Sequence, residues 1–167
     1  EALLGDWQIA ADVNRRDKRY DSLTFAALYA YDVTATNASL RARHTGQLGK
    51  LPNSFILGWD RGLWERTITQ SLFTPIGSQA TAQSTAFYVR DELTLPGTGT
   101  RLSAGWRTEG IRKFEGASAA VIDDREQAWE LGVSQPVGKG GTVYGRVGSS
   151  FRLGNVDEFS FTNPAVT

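Results

Sequence analysis

The sequence predicts an all-β fold, an antiparallel up-and-down meander of about eight strands. Apolar and polar side chains alternate with a period of two residues through most of the chain, as in strands that have one apolar face. Residues that favour turns stand where the alternation breaks. No long segment carries the 3.6-residue apolar stripe of an amphipathic helix.

The alternation divides each predicted strand into an apolar and a polar side. The apolar positions are Trp7, Ile9, Ala11, Val13; Leu23, Phe25, Ala27, Tyr29, Tyr31, Val33; Leu40, Ala42, His44; Phe55, Leu57, Trp59; Phe87, Val89; Leu102, Ala104, Trp106; Trp129, Leu131, Val133; and Val143, Val147. The opposite positions include the mid-strand charges Asp12, Arg41, Arg43, Arg90, Arg107, Glu130 and Arg146. Since successive side chains of a strand point to opposite faces, the sheet should have one apolar and one charged face.

The connections are predicted from the breaks between these segments. Residues 17–21, 95–99 and 136–141 are predicted to be tight turns, because charged residues or Pro and Gly interrupt the apolar pattern there. Residues 66–78 and 111–126 are longer and irregular, and are predicted to be loops. Long loops and tight turns would then alternate, at least in the second half of the chain.

Two architectures fit this pattern, a soluble β-sandwich and a membrane-spanning β-barrel. Full charges in mid-strand favour the wide polar lumen of a barrel. Four of the five tryptophans, Trp7, Trp59, Trp106 and Trp129, lie in strands, often near the ends where barrels place interfacial aromatic girdles. The same rings would suit the core of a sandwich, so the pattern alone leaves both architectures open.

The composition argues against several functions. Lys plus Arg and Asp plus Glu both number 18, so no basic excess indicates nucleic acid. There is no cysteine, and His44 is the single histidine, so thiolate and multi-histidine metal sites are excluded. No acid–base pair stands out among the carboxylates. We therefore predict neither an enzyme nor a cofactor or metal site.

The longest wholly apolar run, Phe25 to Tyr31, has seven residues, far fewer than the ~20 that a membrane helix requires. A membrane-spanning form of the protein must therefore use strands. The sequence opens at Glu1 within the alternating pattern and contains no methionine, which favours the interpretation that it is a piece of a longer protein.

Several segments of the second half resemble the barrel of TonB-dependent receptors. Residues 86–95 (AFYVRDELTL) are similar to an aromatic strand that ends in a Gln-Asp-Glu-Leu-like run before a tight turn, with Arg90 in place of the commoner Gln. Residues 101–107 (RLSAGWR) resemble the next strand of the family. Residues 142–152 resemble the strand that closes in Gly-Phe-Arg, with Ser150 in place of Gly.

Weaker similarities flank these segments. Residues 155–159 match the acidic sequence that follows in the family, although Leu153-Gly154 stands where a proline is common. Upstream, Thr45-Gly46 and residues 55–60 resemble an earlier turn and strand, without the usual preceding His. The resemblance covers roughly residues 45–159 in the order and spacing of the family, and residues 1–44 carry no such motif.

The resemblance implies that residues 1–167 are a middle-to-late section of a transmembrane barrel domain, without the plug domain and the final strands. Gly97 and Gly138 would mark periplasmic turns, and residues 66–78 and 111–126 would be extracellular loops. The parent protein would import a scarce ligand, such as a ferric siderophore, across the outer membrane of a Gram-negative bacterium. Its partners would be outer-membrane lipid, the ligand, and the TonB complex acting through the plug.

The predicted ligand contacts are loop residues, because aromatic and cationic side chains suit an anionic iron chelate. They are Trp64, Arg112, Lys113 and Arg125. Each of them taken singly also fits an ordinary solvated loop residue. The alternative function is a soluble, secreted all-β module that binds carbohydrate or another ligand on its tryptophans. Outward-facing Phe25, Tyr29, Leu57 and Trp106 would favour the barrel, and sheet-on-sheet packing would favour the module.

The sheet is predicted to be open, because closing eight strands would force the charged face into a narrow interior. Its two edges are predicted near residues 7–14 and 143–151.

Overall fold

The structure, a computed structural model, describes residues 2–24, 27–72, 74–116 and 119–151. These residues form one antiparallel sheet. Its strands are β1 (Ala2–Leu4), β2 (Trp7–Thr24), β3 (Ala27–Leu48), β4 (Leu51–Gln70), β5 (Gln79–Thr94), β6 (Arg101–Glu115), β7 (Ala120–Val137) and β8 (Gly141–Gly148). Within this part of the chain, no helix has the length and apolarity needed to cross a membrane.

The strand order follows the chain from β1 to β8, and every neighbouring pair is antiparallel. The predicted up-and-down meander of eight strands is therefore confirmed. The described sheet is open, as expected, because no ladder joins β8 to β1 or β2. β8 forms one edge. At the other edge β1 covers the start of β2 as far as Ile9, so the edge predicted at residues 7–14 begins only at Ala10.

The connections lie at two ends of the sheet, here called the near end and the far end. At the near end the chain turns at residues 5–6, 49–50, 95–100 and 138–140. At the far end lie the last residues of β2, β4 and β6, Thr24, Gln70 and Glu115, and the first residues of the strands that follow them. The predicted turns around Gly97 and Gly138 are confirmed, and both glycines have positive φ, 90° and 58°, which favours glycine.

The turn predicted at residues 17–21 is wrong. These residues lie within β2 and pair with β3 from Thr34 to Ala30. Arg15 and Asp17 are two residues apart on one face, and their side chains form an ion pair at 3.2 Å. These charged residues therefore lie on the surface of a strand. In the sequence they resemble a loop, because they interrupt the alternation of apolar residues.

The true reversal lies inside the apolar run that was predicted to be strand. Because β2 ends at Thr24 and β3 starts at Ala27, Tyr29 and Tyr31 lie on the face opposite to Leu23. The prediction that these three residues share a face is wrong. Phe25 lies outside the described residues.

The long loops are shorter than predicted. β4 continues to Gln70, so the first loop comprises residues 71–78. The loop predicted at residues 111–126 is wrong at residues 111–115 and 120–126, because β6 reaches Glu115 and β7 starts at Ala120. The strand residues in these predicted loops carry polar side chains on both faces. Their sequence therefore lacks the alternation of apolar and polar residues that predicts a strand.

Cross-strand pairs assign every strand residue to one of two faces, since directly opposed residues point to the same side. One face, here called the belt face, carries Leu57, its partner Val89 and Trp106. The other, here called the charged face, carries all seven mid-strand charges that the alternation placed together: Asp12, Arg41, Arg43, Arg90, Arg107, Glu130 and Arg146.

Candidate functional site

The near half of the belt face is apolar. Its side chains, here called the apolar belt, are Trp7, Ile9, Ala11, Val13, Leu40, Ala42, Leu48, Leu51, Phe55, Leu57, Trp59, Phe87, Val89, Leu93, Leu102, Ala104, Trp106, Trp129, Leu131, Val133, Val143 and Val147. His44, Asn53, Asp91 and Gln135 interrupt the belt, and the Asn53 amide donates a hydrogen bond to the Asp91 carboxylate at 2.5 Å. The belt crosses every strand from β2 to β8.

Aromatic rings mark the far boundary of the belt on four consecutive strands. This aromatic row consists of Trp59, Phe87, Trp106 and Trp129. The next belt-face residue towards the far end is polar on each of these strands: Arg61, Thr85, Thr108 and Gln127. On these four strands a polar residue therefore follows the aromatic row directly, although Leu63, Phe114 and Val121 lie further towards the far end of the same face.

The belt side chains are exposed, because the described residues form a single layer. Leu57 and Trp106, two of the residues whose orientation separates the barrel from the sandwich, are 43% and 41% exposed. Phe87 and Leu131 are 53% and 51% exposed. Tyr29, the third such residue described, lies on the other face. An apolar surface of this extent exceeds what soluble monomers normally leave in water.

From Leu51 to Trp59 the belt on β4 advances about 26 Å, at ~3.3 Å per residue. A strand tilt of about 40°, which is usual in barrels, would reduce this height to roughly 20 Å. The result is close to the ~25 Å lipid-facing band of outer-membrane barrels.

The charged face at the same level carries linked ion pairs. Arg107 contacts Asp60 at 3.0 Å and Glu109 at 3.1 Å, and its guanidinium lies 5.7 Å from the centre of the Tyr88 ring. Glu130 is paired with both Arg146 and Arg90, the latter at 3.9 Å. All of these groups except Glu109 line an open groove of ≈ 620 Å³.

Glycines on the charged face make room for the larger side chains of neighbouring strands. A Cβ on Gly58 would overlap the Tyr88 ring, and one on Gly105 would lie 3.0 Å from Cγ of Glu130. Tyr88 can therefore lie flat over β4, as aromatic side chains do when they cover a strand glycine.

At the far end the charged face carries a cluster of tyrosines around an arginine. The Tyr20 and Tyr31 rings stack at 4.9 Å, and Tyr29 meets Tyr31 edge-on at 5.6 Å. The Arg66 guanidinium lies 5.9 Å from the Tyr31 ring and 6.0 Å from the Trp64 ring. Aromatic faces and a guanidinium can together hold a planar or anionic ligand.

Arg66 also forms an ion pair with Glu115 at 3.0 Å. Both side chains are about one-tenth exposed, at 11% and 10%. Lys113, one position away on the same face, is buried as well. The far end is thus the part of the charged face where charge is most shielded from water.

The four predicted ligand contacts lie in strands, not loops, and the sheet divides them between its faces. Trp64 and Lys113 are on the charged face in one cross-strand row, each opposite Ala82. Two inter-strand spacings separate them, roughly 10 Å. Arg112 and Arg125 lie on the belt face, beyond the aromatic row. The four residues therefore do not form one site.

Sequence reasoning missed Tyr31, Arg66 and Glu115 as site residues. Their signal in the sequence is the density of tyrosines at residues 20–31, of which the alternation assigns Tyr29 and Tyr31 to an apolar strand face and Tyr20 to a turn. Among the described residues no group of three or more His, Cys, Asp or Glu side chains is placed to hold a metal ion.

Comparisons with protein-family models, curated protein sequences and solved structures gave no significant match to this chain.

Proposed function

We propose that this chain is part of the wall of a TonB-dependent outer-membrane receptor, which imports a scarce ligand such as a ferric siderophore. The observation that carries the proposal is the apolar belt, exposed on one face and bounded by the aromatic row. An apolar band with an aromatic boundary is what a lipid bilayer requires of a barrel exterior. The opposite face, with its paired charges, would line the lumen.

The open edges support the same proposal. Unpaired strand edges cannot persist in lipid, because no water is available to satisfy their backbone groups. Further strands must therefore close the wall, and the eight described ones are a minority of the ~22 in a transporter-sized barrel. In this proposal residues 1–167 belong to the barrel domain of a longer protein, whose plug domain receives energy from TonB.

Ligand contact is assigned in this proposal to the far end of the charged face. There Trp64 lies beside Arg66 and the tyrosines, on the side that would face the lumen. An anionic iron chelate could stack on these rings and pair with the guanidinium. Arg112 and Arg125, on the belt face, would not contact a ligand in the lumen.

The alternative is a soluble all-β module that binds carbohydrate. The same aromatic row favours it, since exposed rings in a line across a sheet can stack on successive sugar units. This alternative requires the apolar belt to be covered by another sheet or to bind a ligand over its whole width.

Single-cysteine labelling separates the two functions, because the chain contains no cysteine of its own. Leu57→Cys and Glu65→Cys lie on the same face of β4, on either side of the aromatic row. In the full-length protein in bacterial outer membranes, we expect Glu65→Cys to react with a water-soluble maleimide and Leu57→Cys to react only with a lipid-soluble one. Equal reaction of both cysteines with the water-soluble reagent would reject the membrane proposal.

The transport function is tested separately by growth on and uptake of ferric siderophores under iron limitation. We expect uptake to require the gene and an active TonB, and Trp64→Ala to weaken binding more than Trp59→Ala. If deleting the gene changes the uptake of none of a panel of iron chelates, the transport function is rejected, although the assignment to a barrel wall is not.

A further inference from the structure

We infer that Arg61, Arg112 and Arg125 bind the phosphates of a lipid whose headgroup carries two phosphate groups. All three lie on the belt face, on the far side of the aromatic row. The inference rests on the proposed function, because it requires the belt to lie in a membrane.

The three arginines line one shallow depression of ≈ 450 Å³. Phe87, a member of the aromatic row, forms its wall towards the belt. A lipid headgroup held in the depression would therefore have its acyl chains against the apolar belt. This continuity between cationic and apolar surface is what distinguishes a lipid site from a site for a soluble anion.

The positive charge of the depression is largely unused by the protein. Among the described residues, Arg61 donates hydrogen bonds to two neutral side chains, to Thr85 Oγ1 at 2.5 Å and to Gln83 Oε1 at 3.0 Å. Within the described part of the chain, no ion pair is formed by the Arg112 or Arg125 side chain, although Asp123 also lines the depression. Three arginines against one carboxylate leave a net positive site.

Other arginines on the same face are arranged differently. Arg15 and Arg19 are each paired with an aspartate two residues further along β2, at 3.2 Å and 3.3 Å. A guanidinium in such an ion pair binds an external anion less strongly, because the aspartate already neutralises its charge. Arg15 is therefore a matched control for the arginines of the depression.

The spacing of the arginines suggests two phosphates. Arg61, Thr85, Gly110 and Arg125 lie in one cross-strand row. Three inter-strand spacings separate the first and last, which is roughly 14 Å. Arg112 is a diagonal neighbour of Arg125, so these two can grip one phosphate while Arg61 holds the other.

Gly110 keeps the middle of this row open. A Cβ there would approach no side-chain or backbone atom outside its immediate neighbours more closely than 4.0 Å. The floor between the two phosphate positions therefore consists of the Gly110 backbone and the small Thr85 side chain, which leaves room for the sugar rings of a saccharolipid.

The test uses the full-length protein in nanodiscs with diphosphoryl lipid A, its monophosphoryl form, or neutral phospholipid alone. We expect native mass spectrometry to show retention of diphosphoryl lipid A about tenfold better than the monophosphoryl form. Arg61→Gln or Arg125→Gln should abolish that preference, since each removes one charge-assisted partner of about tenfold in affinity. Arg15→Gln should leave it unchanged.

Three results would overturn the inference: equal retention of both lipids by the wild-type protein, an equal loss in Arg15→Gln, or full competition by millimolar inorganic phosphate. The Leu57→Cys labelling distinguishes this failure from failure of the proposed function. A cysteine shielded from the water-soluble maleimide, together with equal retention of the two lipids, rejects only the lipid site.

Discussion

The near and far halves of the sheet use the same strands but present different chemistry on one face only. The charged face carries charged residues along its whole length, from Arg43 near the turns to Lys113 at the far end. The belt face is mostly apolar as far as the aromatic row and mostly polar beyond it, where Arg61 and Gln83 lie. A two-residue alternation is thus visible only where the two faces differ, in the near half.

The halves also differ in how far their ion pairs are exposed to solvent. The near-half carboxylate Glu130 is 24% exposed, and its partners Arg90 and Arg146 are 51% and 71% exposed. In the far half, the paired side chains of Arg66 and Glu115 are 11% and 10% exposed. Ion pairs of similar geometry should therefore contribute unequally, because solvent screens the exposed ones.

The largest expected effect comes from breaking the shielded pair. Glu115→Gln would remove the carboxylate that pairs with the shielded Arg66 guanidinium at 3.0 Å. We expect a loss of about 3–5 kcal/mol in the free energy of unfolding. The matched change Glu130→Gln should cost about 1 kcal/mol or less per pair. Denaturant titration of the folded protein in detergent micelles, followed by tryptophan fluorescence, measures both. Equal losses would contradict the difference between the halves.

A second prediction tests the boundary itself. Leu57→Arg places a charge in the belt, at a cost of about 2–4 kcal/mol in mid-bilayer, and Trp106→Arg acts at the aromatic row. Both should lower the yield of assembled protein in outer-membrane fractions. Leu63→Arg, on the same strand and face but beyond the row, should assemble nearly normally.

Arg107→Ser provides the control for the other face. It removes the partner of Asp60 and Glu109, but these groups would face a water-filled lumen. We expect it to assemble better than either belt variant. Similar yields for Leu57→Arg, Leu63→Arg and Arg107→Ser would remove the basis for assigning the faces.

A third prediction concerns packing on the charged face. Gly58→Ala should displace the Tyr88 ring and cost about 1–3 kcal/mol, as overpacking usually does. Gly110→Ala, where space is open, should cost less. The double variant Gly58→Ala, Tyr88→Ala should recover part of the loss, because the clash is gone. Additive losses in the double variant would show that the ring does not depend on the glycine.

The assignment of residues to faces could be predicted from the sequence in the near half, and for a physical reason. The pleat fixes side-chain direction, so Arg107 and Trp106 must point oppositely wherever the strand is regular. All seven mid-strand charges were therefore placed on one face correctly.

Strand ends could not be predicted in the far half. Residues 17–21 and 111–115 carry charged residues on both faces, so the sequence shows no contrast between the faces that would distinguish a strand from a loop. The reversal after Thr24 falls in an apolar run, where no turn residue marks it. The cluster around Arg66 depends on that reversal, which brings Tyr20 and Tyr31 opposite each other, and so it could not be found before the register was known.

The smallest expected effect lies at the far, water-exposed end of β2, beyond the belt. The Arg15 guanidinium, and next the Thr34 hydroxyl at 2.7 Å, hydrogen-bond the Asp17 carboxylate and lower its pKa below the usual value. The folded state thus binds a proton less readily than the unfolded chain. The stabilisation is present above the unfolded pKa of ~3.9 and is lost as pH falls through the lower folded pKa.

Asp17→Asn should remove this pH dependence, so the two proteins should differ slightly in stability at pH 6 and converge in strong acid. Arg15→Gln should raise the pKa of Asp17 towards its ordinary value, which a carbon-13 NMR titration of labelled aspartate would detect. The effect must be small because the pair is exposed and screened. A wild-type and Asp17→Asn stability difference that grows towards low pH would have the wrong sign for this ion pair. Such a result would mean that the Arg15–Asp17 ion pair does not stabilise the far half of β2.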